Sequence, residues 1–145
     1  MFNKINYIDT TLKHVLNRVF CQIYFGYKMS VTSDMANYCK KILALDPQIR
    51  FAGKIVNEEL VSTARKDGVI PLLDKDLAAL AHHQVSVKAM MDKMFTDKLG
   101  NTDWIVESKG KVKLLTIFQK DGILILSTEP TSDHHAIIEK IKNLH

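Results

Sequence analysis

The chain has 145 residues, of which 46% are hydrophobic and 25% charged, a balance that fits one globular domain and excludes wholesale disorder. The formal net charge is +4, but residues 1–28 hold four basic groups against one acidic group, so the remaining 117 residues hold 16 basic and 15 acidic groups. A nearly neutral domain lacks the concentrated basic face that is typical of nucleic-acid-binding proteins.

The first 28 residues have the pattern of an amphipathic helix, which we call the leader. Its apolar residues recur at steps of three and four: Ile5, Ile8, Leu12, Val15, Leu16, Val19, Phe20 and Ile23. Three interpretations remain open: a helix docked on the domain, a helix on a membrane surface, and a translated extension upstream of a true start at Met29. The domain itself is expected to span residues 29–145.

Neither the cysteines nor the hydropathy pattern indicates export or membrane insertion. Cys21 and Cys39 show no CxxC spacing, which favours two free thiols in a reducing cytoplasm. No apolar run approaches the ~20 residues that a membrane-spanning helix requires.

The next elements are a helix and two strands. The stretch DMANYCKKILAL predicts a helix that ends before Pro47, because the residue before proline disfavours helical backbone. IRFAGKIV (49–56) and LVSTARK (60–66) read as strands joined by a short polar turn. Gly68 and Pro71 are turn residues and are expected to end the strand pairing.

A long helix and a three-strand meander follow. The helix is expected to begin at Asp74 or Asp76, to run to about Lys98 and to stop at Gly100. DWIVESK, KVKLLTIFQ and ILILST read as strands, with Gly110 and Gly122 supplying the positive φ of two tight hairpins. The last strand is apolar on both faces, as a central strand would be.

A closing helix in TSDHHAIIEKIKNL completes the order α-β-β-α-β-β-β-α. The sequence therefore predicts an α+β domain, in which a five-stranded, mainly antiparallel sheet has flanking helices.

That element order resembles the roadblock/dynein light chain and profilin-like superfamily. The stretches ILALDPQIRFAGKI, KDGVIPLL and GILILSTEPTSDHHAIIEKI look most like a domain family of ammonia-oxidising archaea, over roughly residues 38–144. The superfamily resemblance implies a homo- or heterodimer that regulates small GTPases or acts as a scaffold. The archaeal resemblance implies a cytoplasmic protein and supplies no catalytic residues.

The long helix contains the stretch AHHQVSVKAMMDKMF (81–95). Its most apolar side, which we expect to face the sheet, comprises Leu77, Leu80, Ala81, Val87, Met91, Phe95 and Leu99. His82 then points to solvent. Adjacent helical histidines diverge too far to bind one metal ion. On the flank, His83, Val87, Met90 and Met94 form a predicted partner interface, occupied by a second copy of the chain.

Other candidate sites are weaker. His134 is expected at the core edge, and His135 and Glu139 at i, i+4 favour a surface pair over a metal-ligand pair. Trp104 beside lysines suggests nucleic acid, but interleaved acidic residues oppose that interpretation. GxSxG, GxxxxGK, HExxH and GxGxxG motifs are absent from the sequence.

The leading hypothesis is therefore a non-enzymatic, dimeric interaction or regulatory module without a cofactor or metal, which receives a partner such as a small GTPase. The alternative is a PAS-like sensor that holds a small molecule between the long helix and the sheet. In that case Trp104, Phe118 and Met91 are the predicted pocket lining.

Overall fold

A computed structural model of the chain describes residues 33–144. Nine elements follow in order: α1 (Ser33–Ala44), β1 (Ile49–Val56), β2 (Glu59–Arg65), α2 (Lys75–Asp92), α3 (Thr96–Leu99), β3 (Trp104–Ser108), β4 (Lys113–Gln119), β5 (Gly122–Thr128) and α4 (His134–Lys142). A single 3₁₀ turn joins α2 to α3. The leader and Cys21 lie outside the described residues.

The five strands form one antiparallel sheet in the order β2-β1-β5-β4-β3. This confirms the predicted α+β class and the antiparallel pairing. The strand predicted to be central, β5, lies in the middle of the sheet, and three successive residues from Leu124 to Leu126 are buried. Both of its faces are covered, which explains its continuous apolar run.

The hydrophobic core lies on one face of the sheet, beneath α1 and α4. Its buried members come from both helices and from β1, β4 and β5: Cys39, Ile42, Ile49, Ala52, Leu115, Ile117, Leu124, Leu126, Ile137, Ile138 and Ile141. The two helices are strongly amphipathic, so each buries one apolar stripe and exposes a charged one. Asp133 caps α4 by accepting a hydrogen bond from the Ala136 amide, as expected.

The two predicted tight glycine turns differ. Gly122 has φ +144°, and a Cβ there would lie 2.2 Å from the carbonyl oxygen of Ile55, so only glycine fits. Gly110 does not have a positive φ. The Lys109 amide instead donates to the Val112 carbonyl at 2.9 Å, so this turn is longer and places no such demand on its glycine.

The long helix begins where predicted and ends early. The carboxylate of Asp74 caps α2 by accepting from the Leu77 amide at 2.9 Å. The regular α-helix stops at Asp92, six residues before Lys98, and continues through the 3₁₀ turn into α3. Gly100, with φ +86°, ends this segment as predicted.

One charged side chain is buried beside the core. Lys54 of β1 is 1% exposed, and its Nζ donates to Gln119 Oε1 at 2.5 Å and to Asp121 Oδ1 at 2.6 Å. The same Nζ lies 5.4 Å from the ring centroid of Tyr38. The hydrogen bond from Lys54 lowers the pKa of Asp121 below its usual value. This ion pair therefore ties the β4–β5 turn to β1.

We expect Asp121→Asn to lower the free energy of unfolding by about 1 kcal/mol, because the buried ammonium loses its carboxylate. The Asp121 side chain is 66% exposed, so water screens part of this interaction. The double variant Lys54→Met with Asp121→Asn removes the charge as well and should be more stable than Asp121→Asn alone. Urea unfolding at pH 7 measures both. Because the pKa of Asp121 is lowered on folding, its contribution is complete above the unfolded-state pKa of about 3.9 and is lost as the pH falls further.

Asp67→Asn is the matched control, since Asp67 is exposed and has no ion pair among residues 33–144. Its effect should stay within about 0.5 kcal/mol. Equal stability of Asp121→Asn and the parent chain would contradict the role assigned to this pair.

Candidate functional site

The large apolar side chains of α2 point away from the sheet. The exposed residues of α2 and the segment after it are Leu77 (51%), Leu80 (63%), Val87 (36%), Met90 (58%), Met91 (58%), Met94 (79%), Phe95 (55%) and Leu99 (80%). We call this surface the outer face of α2. The prediction that Leu77, Leu80, Val87 and Met91 face the sheet was therefore wrong, and none of the α2 residues is fully buried.

The side of α2 that meets the sheet consists of small and polar residues. Ala78, Ala81, His82 and Val85 are half-buried. The His82 ring stacks on Phe51 of β1, with ring centroids 6.4 Å apart and an interplanar angle of 10°. His82 was predicted to face solvent, and this prediction was also wrong. The short side chains of Ala78 and Ala81 leave part of the space between the helix and the sheet unfilled.

The four residues of the predicted partner interface share one side of the outer face. His83, Met90 and Met94 are exposed, and Val87 is at the boundary of exposure with 36% of its surface accessible. The structure therefore brings them together on an accessible surface. Their contact with a second chain remains a prediction.

A cleft of about 590 Å³ opens between α2 and the sheet. Its roof is the alanine side of α2 and the segment 69–73, and its floor includes Leu114, Thr116 and Ile125. The cleft crosses all five strands, since its lining also includes Phe51 of β1, Arg65 of β2 and Glu107 of β3. Its volume lies within the roughly 300–1,000 Å³ of small-molecule sites.

The charged groups of the cleft are mainly cationic. Arg50 is paired with Glu129 at 2.9 Å, and Glu107 is paired with Lys88 of α2 at 2.5 Å. Arg65 lies over the Phe51 ring at 5.2 Å. Arg65, Lys109 and Lys111 have no ion-pair partner within the described residues. The cleft therefore carries an uncompensated positive charge at both ends.

The predicted pocket residues lie elsewhere. Trp104 packs against the core near α4, with its ring centroid 6.3 Å from that of His134 and 5.6 Å from that of His135. Met91 is on the outer face of α2, and Phe118 lies in β4. None of the three lines the cleft. A space between the long helix and the sheet exists as the sensor hypothesis required, but with a different lining.

The second histidine pair, His134 and His135, lies at the start of α4 beside Trp104. His134 is half-buried against Trp104, as expected for the core edge. The predicted pairing of His135 with Glu139 is not the one that forms, because Glu139 pairs with Lys142 at 3.2 Å. In the part of the chain that the structure describes, no group of three or more potential metal ligands is arranged around one point.

Cys39 is placed as a structural thiol. It is fully buried, its Sγ donates to the Ser62 carbonyl at 3.4 Å, and burial raises the pKa of the thiol above its usual value. A buried, protonated thiol is a poor nucleophile. Cys39 therefore does not supply a catalytic group.

Two helices pack on one face of the antiparallel five-stranded sheet, and one long helix lies on the other face. This arrangement places the chain among α+β domains. Comparison with solved structures then identifies the fold as that of Roadblock/LC7 domains. A Roadblock/LC7 domain from Streptomyces avermitilis superimposes with a TM-score of 0.60 at 13% identity, covering 76% of this chain and 90% of that one.

MglB from Myxococcus xanthus gives 0.56 at 16% identity, covering 74% of this chain and 78% of that one. A structure of MglB in a tetrameric arrangement gives 0.55 at 14% identity, covering 72% and 76%. At these identities the likeness is one of fold. No protein-family model matches the chain, and no curated protein matches it in sequence. Between residues 33 and 144, no helix is long and apolar enough to cross a bilayer.

The position of His82 makes stability depend on pH. Burial lowers the pKa of His82 below the usual imidazole value of about 6.5. The unfolded chain therefore binds a proton at this site before the folded chain does, and the free energy of unfolding should fall as the pH drops below about 6.5.

We expect His82→Gln to flatten the dependence of the unfolding free energy on pH below about 6.5. His83→Gln is the matched control, because His83 is adjacent and exposed. Urea unfolding of both variants at several pH values measures the slope. An unchanged slope in His82→Gln would show that His82 is not the titrating group.

Proposed function

We propose that this chain is a non-enzymatic regulatory module that forms a homodimer through the outer face of α2. The observation that carries the proposal is the orientation of α2, whose large apolar side chains point away from its own sheet. Monomeric proteins rarely expose contiguous apolar patches larger than a few hundred Å², so eight large apolar side chains exposed between Leu77 and Leu99 support an interface.

The occupant of the outer face is a second copy of the chain. The stripe begins with Leu77 and Leu80, and its methionines lie in its C-terminal half, before Phe95 and Leu99. Two copies related by a twofold axis can therefore set the methionines of one helix against the apolar residues of its mate. Methionine is suited to such a contact because its flexible side chain fills irregular gaps.

The edge strand β3 is proposed to extend this surface. Lys88 of α2 pairs with Glu107 of β3, so the helix reaches the β3 edge of the sheet at Lys88. An edge strand presents unpaired backbone donors and acceptors, which a second copy can satisfy. The tetrameric arrangement of MglB, a protein of the same fold, supports assembly through copies of the chain.

The dimer's composite surface is proposed to receive a protein partner of the small-GTPase class. This step rests on the resemblance to roadblock-like proteins. The absence of an assignable nucleophile–base pair in the sequence supports a binding role over an enzymatic one.

The dimer is tested by substituting Met90→Glu and Met94→Glu together. Two carboxylates placed in an apolar interface should weaken association by about 100-fold or more, because each loses its hydration. Native mass spectrometry of the full chain should change from twice the 16.5-kDa chain mass to the single mass.

Ala36→Glu with Asn37→Glu is the matched control, since both residues are exposed on α1 and the charge change is the same. It should remain dimeric. A parent chain that is monomeric at micromolar concentration, or a glutamate pair on α2 that leaves the dimer intact, would contradict the proposal.

The partner is tested by gel filtration of the full chain with small GTPases from the same cell, each loaded with GDP or with a non-hydrolysable GTP analogue. Co-elution that depends on the nucleotide, and that is lost in the Met90→Glu, Met94→Glu variant, supports a surface built by the dimer. Failure of every GTPase to co-elute would exclude this partner class and leave the dimer result unaffected.

A further inference from the structure

We propose that the cleft between α2 and the sheet binds a free, single-chain amphipathic anion of the fatty-acid class. The apolar chain would lie under α2, and the anionic head would meet the lysines of the β3–β4 turn. This inference goes beyond the proposed regulatory module and does not depend on the dimer.

The shape of the cleft fits an elongated apolar molecule. Its lining reaches from Arg65 of β2 to Glu107 of β3, which are the two edge strands of the sheet. Four inter-strand spacings of about 4.8 Å separate those edges, or roughly 19 Å. The space exists because the roof is alanine: Ala78 and Ala81 occupy positions where a leucine would fill the gap.

The walls suit an apolar chain. The floor side chains Leu114 and Ile125 are aliphatic. Val69 and Leu73, in the segment that precedes α2, also line the cleft. His82 does not oppose this character, because it stacks on Phe51 and burial favours its neutral form. A chain placed here would lose contact with water on the side that meets these residues.

The charge of the rim selects an anionic head. The acid in the lining, Glu107, is neutralised by Lys88, whereas Lys109 and Lys111 have no ion-pair partner among residues 33–144. Lys109 and Lys111 supply two ammonium groups that can attract a carboxylate when an apolar chain holds it there. A cationic amphiphile of equal length would meet repulsion at the same place.

The test uses the full chain, dodecanoate as the probe and isothermal titration calorimetry. We expect one dodecanoate per chain and no saturable binding of dodecyltrimethylammonium, which has the same chain and the opposite charge. Lys109→Glu with Lys111→Glu should weaken dodecanoate binding by about 10-fold or more. Lys41→Glu with Lys120→Glu, which makes the same charge change at exposed sites outside the cleft, should leave the affinity within about 2-fold.

A second pair of variants separates the cleft from the exposed outer face of α2. Ala81→Phe fills the cleft and should abolish binding, whereas Ala79→Phe, at an exposed position of the same helix, should not. Met90→Glu with Met94→Glu should also retain dodecanoate binding, so loss of the dimer and loss of the ligand are read separately.

Three results would overturn the proposal. They are no binding of dodecanoate to the full chain, equal binding of the cationic amphiphile, and loss of binding in the outer-face variant but not in Ala81→Phe. The last result would place the amphiphile on the exposed apolar side chains of α2.

Discussion

The contact between α2 and the sheet is the interaction on which the functional features of this domain depend. It includes the stack of His82 on Phe51 and the ion pair of Lys88 with Glu107, and the leucines and methionines of α2 take no part in it. A helix that faces its own sheet with small residues buries little apolar surface area in that contact. Its large side chains are then available for another surface.

Two features follow from that one arrangement. The outer face of α2 is apolar because the leucines and methionines are turned outward, and we propose that a second copy covers it. The cleft exists because the alanines leave space above the sheet. The stability of the protomer comes from the opposite face, where α1 and α4 enclose the buried core. A partner could therefore bind α2 while the hydrophobic core, which stabilises the domain, stays covered by α1 and α4.

The ion pair between buried Lys54 and the more exposed Asp121 shows how a charged group is accommodated beside the same core. A sequence pattern could not have found it, because a lysine inside IRFAGKIV reads as the exposed residue of an alternating strand. Its burial depends on Asp121, which lies 67 positions later and reaches Lys54 only when the β4–β5 turn is in place. The sequence contained only an indirect signal, which was an aspartate beside the turn glycine Gly122. That glycine begins β5, and the first residues of β5 pair with the end of β1.

The sequence by itself determined the order of the elements, the antiparallel meander and the central place of β5. Those features are set locally, by caps such as Asp74, by the proline after α1 and by the apolar run of the last strand. The direction in which α2 faces was decided only by the tertiary structure. An apolar stripe indicates that one side of a helix is buried, but it does not indicate whether that side is covered by the helix's own sheet or by another chain. The reason is physical: the free energy of burial depends on the area removed from water and not on which chain supplies the cover.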